Sequence, residues 1–371
     1  MKKILTAALS CVAALLIFIL YMKLSDDGSS QKLNLWYVEG DISLSSLEAL
    51  AESYNSQRSR DSYALSLQGF ETEEALASAF ETQRPDLLLC SYTRAASLGS
   101  RGQLGSVDQS VGDYLPEMEQ ALPFAGQSFF PIGSRVPILV FNTSVLEEAG
   151  ISPDFENLES FISAAQDYLE KTGSPFFSAS GISPLLCTWS ASLGYQLKGR
   201  PELDAIDEGF ARCYNTLASA AMEGSFLPPG EDRLEMTAAG LLPCVFVDSS
   251  LLSGLPEGLG YTTLPLPENG EAVYVPDIIG FAVTGANTYA LPSVQAFGFW
   301  LSRSFSPEAA LELGLVPAVS ASPSPGSGDA GTPLSRIYSN FRPVIYPPLG
   351  EFAENREEME RVLCRALDLL Y

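Results

Sequence analysis

Three kinds of hydrophobic pattern divide the chain. The first is one unbroken run, Ile4 to Met22, nineteen positions without a charge, set between Met-Lys-Lys and Lys23. As a helix it is long enough to cross a hydrocarbon core of about 30 Å. The second kind is short apolar runs: LNLWYV at 33–38, SYALSLQ at 62–68, DLLLCSY at 86–92, VPILVF at 136–141, LLPCVFV at 241–247 and IIGFAV at 278–283. Runs of this length, rich in β-branched and aromatic residues and bounded by turn formers, predict buried strands. The third kind recurs at helical spacing. Leu44, Leu47, Leu50, Ala51 and Tyr54 form one such face, and Leu158, Phe161, Ile162, Ala165 and Leu169 another within 155–171. Further helices are predicted at 72–80, 206–222, about 291–303, and 352–370 with Met359, Val362, Leu363, Ala366 and Leu369 inward. Ser45 and Glu48 have capping-box spacing.

Strand and helix alternate through 33–92, which predicts a parallel sheet with helices on its faces. Ligands of such sheets sit beyond the carboxyl ends of the strands, which directs attention to Trp36–Asp41, Phe70–Thr72 and Ser91–Arg94. Each also has a plain structural reading: Trp36 as core, Asp41 as a turn or cap, Arg94 as a solvated helix residue. The segment ASPSPGSGDAGTP at 321–333 reads as a surface loop, and the chain has no internal repeat.

Composition narrows the chemistry. At 371 residues the chain exceeds one ordinary core, so two lobes are expected. Its 45 acidic and 21 basic residues give a net charge of −24, which repels nucleic-acid phosphates and anionic lipid headgroups. There is no histidine, so Ser-His-Asp and Cys-His catalysis and HExxH zinc sites are excluded. A carboxylate pair would still allow glycoside hydrolysis, but nothing in the pattern singles one out. The six cysteines include no CxxC pair and are embedded in apolar runs, which makes them core residues rather than metal ligands or a disulfide framework. No cofactor or metal is expected.

For the N-terminal run, Lys2 and Lys3 place the start inside and the rest of the chain outside the cytoplasm. The preferred reading is an uncleaved signal anchor. A cleaved signal lacks a small-x-small site after the run, and a lipoprotein signal through Cys11 would have most of its apolar stretch on the wrong side of the cysteine.

Several landmarks in order resemble the carbohydrate-binding solute receptors of ABC importers, extracellular solute-binding protein family 1. They are LNLWYVEGD at 33–41, RPDLLLCSYTR at 84–94, FFPIGSRVPILVFNTSVLEEAGI at 129–151, NLESFISAAQDYLEKTG, the turn PLPENGE, IIGFAVTGAN, and AFGFWLSRSFSPEAALELGLVPAVSA at 296–321. The resemblance covers nearly the whole exported part. It implies an α/β, two-lobed periplasmic-binding-protein-like fold of type II, with three inter-lobe crossings near 132–138, 274–280 and 315–320, after an N-terminal transmembrane helix and linker at 1–31. Lobe 1 would hold 32–134 plus 277–316, and lobe 2 would hold 135–276 plus 317–371.

The resemblance further implies a non-enzymatic receptor, a monomer, that binds a small polar solute between its lobes and delivers it to permease subunits. Asp41, Thr93, Arg94 and Arg135 match positions of polar ligand contacts, with Trp36 beside them. Tyr92, Trp189 and Tyr346 are the candidate aromatic platforms. Two departures stand out: Arg135 replaces an acidic hinge residue, and Asp248-Ser249-Ser250 replaces a Gly-x-Trp, so Asp248 and Ser250 join the candidate site. A basic hinge points to a ligand with a carboxylate or phosphate, or to a smaller polar sugar. The alternatives are a membrane-anchored sensor, an adhesion or scaffold module, and a carboxylate-pair glycosidase.

Overall fold

The computed structural model describes residues 32–40, 42–111, 125–155, 157–182, 185–186, 188–189, 208–230, 232–263, 272–274, 277–285, 289–317, 341–343, 362 and 364–370. In chain order its elements begin with β1 (Lys32–Val38), α1 (Leu44–Gln57), β2 (Ala64–Phe70), α2 (Glu73–Thr82), β3 (Leu87–Ser91), α3 (Tyr92–Ser100) and β4 (Phe129–Arg135). There follow β5 (Pro137–Asn142), α4 (Thr143–Ala149), α5 (Leu158–Thr172), β6 (Phe177–Ala179), α6 (Glu208–Glu223), α7 (Arg233–Ala238), β7 (Cys244–Asp248), and a 3-10 turn at Ser249–Gly254. The last group is β8 (Leu259–Thr263), β9 (Ala272–Tyr274), β10 (Asp277–Val283), α8 (Leu291–Ser304), α9 (Pro307–Glu312), β11 (Val316–Pro317) and β12 (Phe341–Pro343).

Two sheets, each with its own core, organise these elements. The six-stranded sheet runs β11-β4-β10-β3-β1-β2. Its inner strands β3, β10 and β4 are buried on both faces because both faces are covered, while the edge strand β2 is mostly half-buried. Leu33, Leu35 and Tyr37 of β1 pack with Leu47 and Tyr54 of α1 and Phe297 of α8. The alternate residue Trp36 packs on the other face with Leu76 and Phe80 of α2 and Ala95 of α3. The four-stranded sheet runs β6-β7-β5-β8. On one face Leu139, Phe141 and Phe246 meet Phe161 of α5, Leu217 of α6 and Leu367 near the C-terminus. On the other, Ile138, Val140, Val245 and Val247 form a smaller aliphatic cluster.

The parallel sheet expected from 33–92 is present as β1 with β2 and β3, but the complete sheet is mixed. Strand β10 inserts between β3 and β4, antiparallel to both. The 129–135 segment, with Pro131 and Gly133, is a full strand that the hydrophobic pattern did not announce. Three boundaries also differ from expectation. Tyr92 opens α3 instead of ending a strand, and β2 extends to Phe70. The Ser45–Glu48 capping box does not form, since Ser43 occupies the N-cap of α1 without a side-chain cap bond and its hydroxyl lies 2.9 Å from that of Ser45. A capping box is present instead at α5, where the Asn157 side chain accepts from the Ser160 N–H at 2.8 Å and the Ser160 hydroxyl accepts from the Asn157 N–H at 3.1 Å.

The chain leaves the six-stranded sheet at Arg135 and enters the four-stranded one at Pro137, with only Val136 between them. It returns to the larger sheet at Asp277, and leaves β11 of that sheet before β12. Strands β9 and β12, one from each of these later connections, pair in parallel with Ala272 opposite Phe341. The N-terminal run 4–22 and the loop 321–333 lie outside the described residues, as does most of the 352–370 helix, of which 364–368 is helical. Among the described residues no helix is long and apolar enough to cross a membrane.

Candidate functional site

Strands β1, β2, β3 and β4 run in one direction, and their carboxyl ends share an edge with the start of the antiparallel β10. That edge carries Glu39, Glu71, Thr93, Arg94, Arg135 and Asp277, and it is where the chain passes to the smaller sheet. Two helices start from it, each capped by a hydroxyl. Thr72 accepts from the Ala75 N–H of α2 at 3.2 Å, and Ser91 accepts from the Arg94 N–H of α3 at 3.3 Å. These caps fix the first turns of both helices. They bring Arg94 against Glu73, and the two form an ion pair.

The second charged group lies at the first crossing. Arg135 donates from one terminal nitrogen (Nη2) to Asp277 Oδ2 at 2.7 Å, and its Nε lies 3.6 Å from Asp248 Oδ2. The β10–β4 register sets the first contact, because Asp277 stands opposite Arg135 in the ladder. The β7–β5 register sets the second, because Asp248 stands opposite Pro137, two residues past Arg135. Arg135 therefore joins the end of the smaller sheet to the larger one. Burial pushes the Asp248 carboxyl up from the usual range, and the Asp277 carboxylate adds to this. The Arg135 guanidinium and the Ser250 hydrogen bonds pull it back. Asp248 also caps the 3-10 turn, accepting from the Ser250 N–H at 2.8 Å.

Of the expected site residues, Thr93, Arg94 and Arg135 lie at this edge, Asp248 and Ser250 lie across the first crossing at the end of β7, and all five are partly exposed. Three aromatic candidates do not serve as platforms, because each is a core residue. Trp36 is 3% exposed and its ring lies 4.9 Å from that of Phe70. Tyr92 packs against Phe129, and Trp189 against Phe246, and both are as deeply buried. A ligand would have to displace the core to reach any of them. Asp41 and Tyr346 lie outside the described residues.

Glu73, Asp277 and Ser249 were missed by sequence reasoning. Each matters through its partner, and the partner is set by register or by a cap. The one available signal was Glu73, which directly follows the cap residue Thr72.

A separate groove of about 240 Å³ runs between α5 and α6, lined by Leu158, Ile162, Gln166, Arg212 and Thr216. It is away from the strand ends, and the Arg212–Glu159 pair on its rim is exposed at 3.7 Å. Among the described residues no group of three or more cysteine and acidic side chains converges as a metal site. Cys90, Cys213 and Cys244 are buried thiols within the apolar clusters.

No protein-family model and no curated protein sequence matches the chain. Solved structures do. The GacH receptor of Streptomyces glaucescens, solved unliganded and with acarbose, is similar with a TM-score of 0.75 and 15% identity over 92% of this chain and 94% of that one. A solute-binding protein of an ABC transporter from Thermotoga lettingae, bound to α-D-tagatose, has a TM-score of 0.71 and 13% identity, covering 92% and 95%. The galacto-N-biose/lacto-N-biose I-binding protein of Bifidobacterium longum has a TM-score of 0.67 and 16% identity, covering 93% and 95%. At these identities the likeness establishes a common fold, the mixed α/β two-lobed one.

Proposed function

We propose that this chain is the extracytoplasmic solute-binding receptor of an ABC importer, that its solute is a neutral sugar, and that it carries out no chemistry on it. The observation carrying this reading is the arrangement at the first crossing. Two sheets, each with its main core, are joined there by a single residue of chain, and the polar strand ends of the larger one face the passage. Fold likeness to sugar receptors over more than nine-tenths of the chain supports the same reading. In this reading 32–134 plus 277–316 form one lobe and 135–276 plus 317–371 the other. The solute is held between them, and the closed form is presented to permease subunits.

The choice of a neutral solute follows from the arginines. Both Arg94 and Arg135 face carboxylates, Glu73 for the first and Asp277 with Asp248 for the second. An anionic ligand approaching Arg135 would meet two negative charges around one positive charge, in a chain of net charge −24. Hydroxyl groups, which both donate and accept, suit such a mixed edge better. The anionic reading drawn from the basic hinge loses its basis here.

The N-terminal run 4–22 is proposed as the signal anchor that holds the receptor outside the membrane. Thermal unfolding of the exported part against a panel of neutral mono- and oligosaccharides, sugar phosphates and sugar acids tests the solute assignment. A neutral sugar is expected to raise Tm with concentration by mass action, without product on chromatography. A shift given only by the anionic compounds, or hydrolysis of an oligosaccharide, refutes it.

A further inference from the structure

We infer that the turn joining α9 to β11 is a fixed axle between the two lobes, so that closure rotates them about Ser249 and Gly314 instead of bending three independent linkers. This goes beyond the receptor reading and does not depend on which solute is bound.

Ser249 is fully buried, a polar residue with 0% exposure. Its backbone N–H donates to the Val136 carbonyl at 2.9 Å, and its hydroxyl accepts from the Val136 N–H at 3.1 Å. The same hydroxyl donates to the Gly314 carbonyl at 2.6 Å. One side chain thus ties the start of the 3-10 turn, the lone residue of the first crossing, and the turn after α9. The buried donors and acceptors named here are satisfied by one another, so pulling any one segment away would leave the others unpaired in an apolar setting.

Packing at Gly314 reinforces the knot. Its φ of 70° is left-handed, and a Cβ there would lie 2.3 Å from the Ser249 carbonyl oxygen. Only glycine allows this approach. The residues around it are shared between the two cores. Leu313 and Leu315 belong to the core of the six-stranded sheet. Val316 joins Val136, Ile138, Val140, Val245 and Val247 on the smaller sheet, with Leu311 packed against them. The backbone of Val316 is nevertheless paired to Ser134 in the larger sheet. At the rim, Arg135 adds its contacts to Asp277 and Asp248 across the same line. A packed, hydrogen-bonded contact of this kind moves as one body, and the lobes turn on it.

Solute-free protein provides the test, by amide hydrogen exchange and small-angle X-ray scattering on the natural chain, Ser249→Ala and Gly314→Ala. Both variants are expected to speed exchange of the Val136 amide on the order of tenfold or more and to enlarge the radius of gyration. Amides of Leu89 and Phe246, one in each core, should keep their protection and so report that both sheets are folded. Should Ser249→Ala lose that protection, the milder Leu311→Ala, which trims only the apolar contact, carries the same expectation. Unchanged Val136 exchange, or faster exchange with an unaltered scattering profile, overturns the axle. Because no solute is used, the axle can fail while the receptor stands, and a chain that binds no sugar leaves it intact.

Discussion

Replacing Arg135 by alanine removes the one cation between two carboxylates. At an effective dielectric of about 20, a unit pair at the Arg135–Asp277 separation of 2.7 Å attracts by roughly 6 kcal/mol before desolvation is subtracted. Breaking a fully buried pair from one side costs about 3–5 kcal/mol. The side chains here are 18%, 19% and 37% exposed for Arg135, Asp277 and Asp248, and solvent screening reduces the expected loss to about 2 kcal/mol. The deficit also has a predictable pH dependence. Without the guanidinium, burial and the Asp277 carboxylate both push Asp248 further up. A carboxyl raised in the folded state destabilises the fold once ionised, so the variant's deficit should be full at neutral pH and shrink as pH falls through the raised value. Urea unfolding at neutral and mildly acidic pH measures this, and a double-mutant cycle with Asp248→Ala isolates the contact between the sheets. A loss below about 0.5 kcal/mol at neutral pH, or a deficit that grows on acidification, would show that the arginine does not hold the crossing together.

Other positions give equally definite expectations. Asp86 is 6% exposed and accepts from the Asn34 N–H at 2.9 Å, and burial raises its pKa. Its charge therefore weakens the fold as pH rises through the shifted value. Asp86→Asn, which keeps an acceptor without the charge, should be as stable or more stable at neutral pH and show a flatter stability profile on acidification, by thermal unfolding. The Tyr54 hydroxyl is buried without a hydrogen-bond partner among the described residues, so Tyr54→Phe should leave stability unchanged or raise it by up to about 1 kcal/mol in urea unfolding. Phe161 is fully buried, with the rings of Phe155, Phe177 and Phe246 about it at 5.0, 4.9 and 5.2 Å. Phe161→Ala should cost about 3–5 kcal/mol, with hydrogen exchange rising in the four-stranded sheet and little in the six-stranded one.

The fold was legible where burial is two-sided and local. Strands β3, β7 and β10 are apolar runs because helices or loops cover both faces, and α5 buries Phe161 and Ala165 of its expected stripe, with Tyr168 buried where Leu169 was expected. The sequence pattern failed at β4, where Pro131 and Gly133 interrupt the run and the strand is held by its neighbours β10 and β11. It failed again at the antiparallel insertion of β10, since no local property of 277–283 records which strands it will separate. The site divides the same way. Arg94 was visible as a charge at the end of an apolar run, and Arg135 and Asp248 as departures from the family pattern. Glu73, Asp277 and Ser249 were not, because their importance is created by pairing across long stretches of chain. Trp36, Tyr92 and Trp189 misled because an aromatic residue that fills a core and one that lines a cleft look alike in sequence.

The insertion of β10 also dictates an order of assembly. The four-stranded sheet is built from one continuous stretch, β5 through β8, so it is complete as soon as Thr263 has been made. The six-stranded sheet begins earlier but has a gap at its centre, since the strand that joins β3 to β4 starts 142 residues after Arg135. Until that strand arrives, β3 and β4 each present an open edge. The six-stranded sheet is thus begun first but closed last, and most of the chain must be made before β10 can lock it.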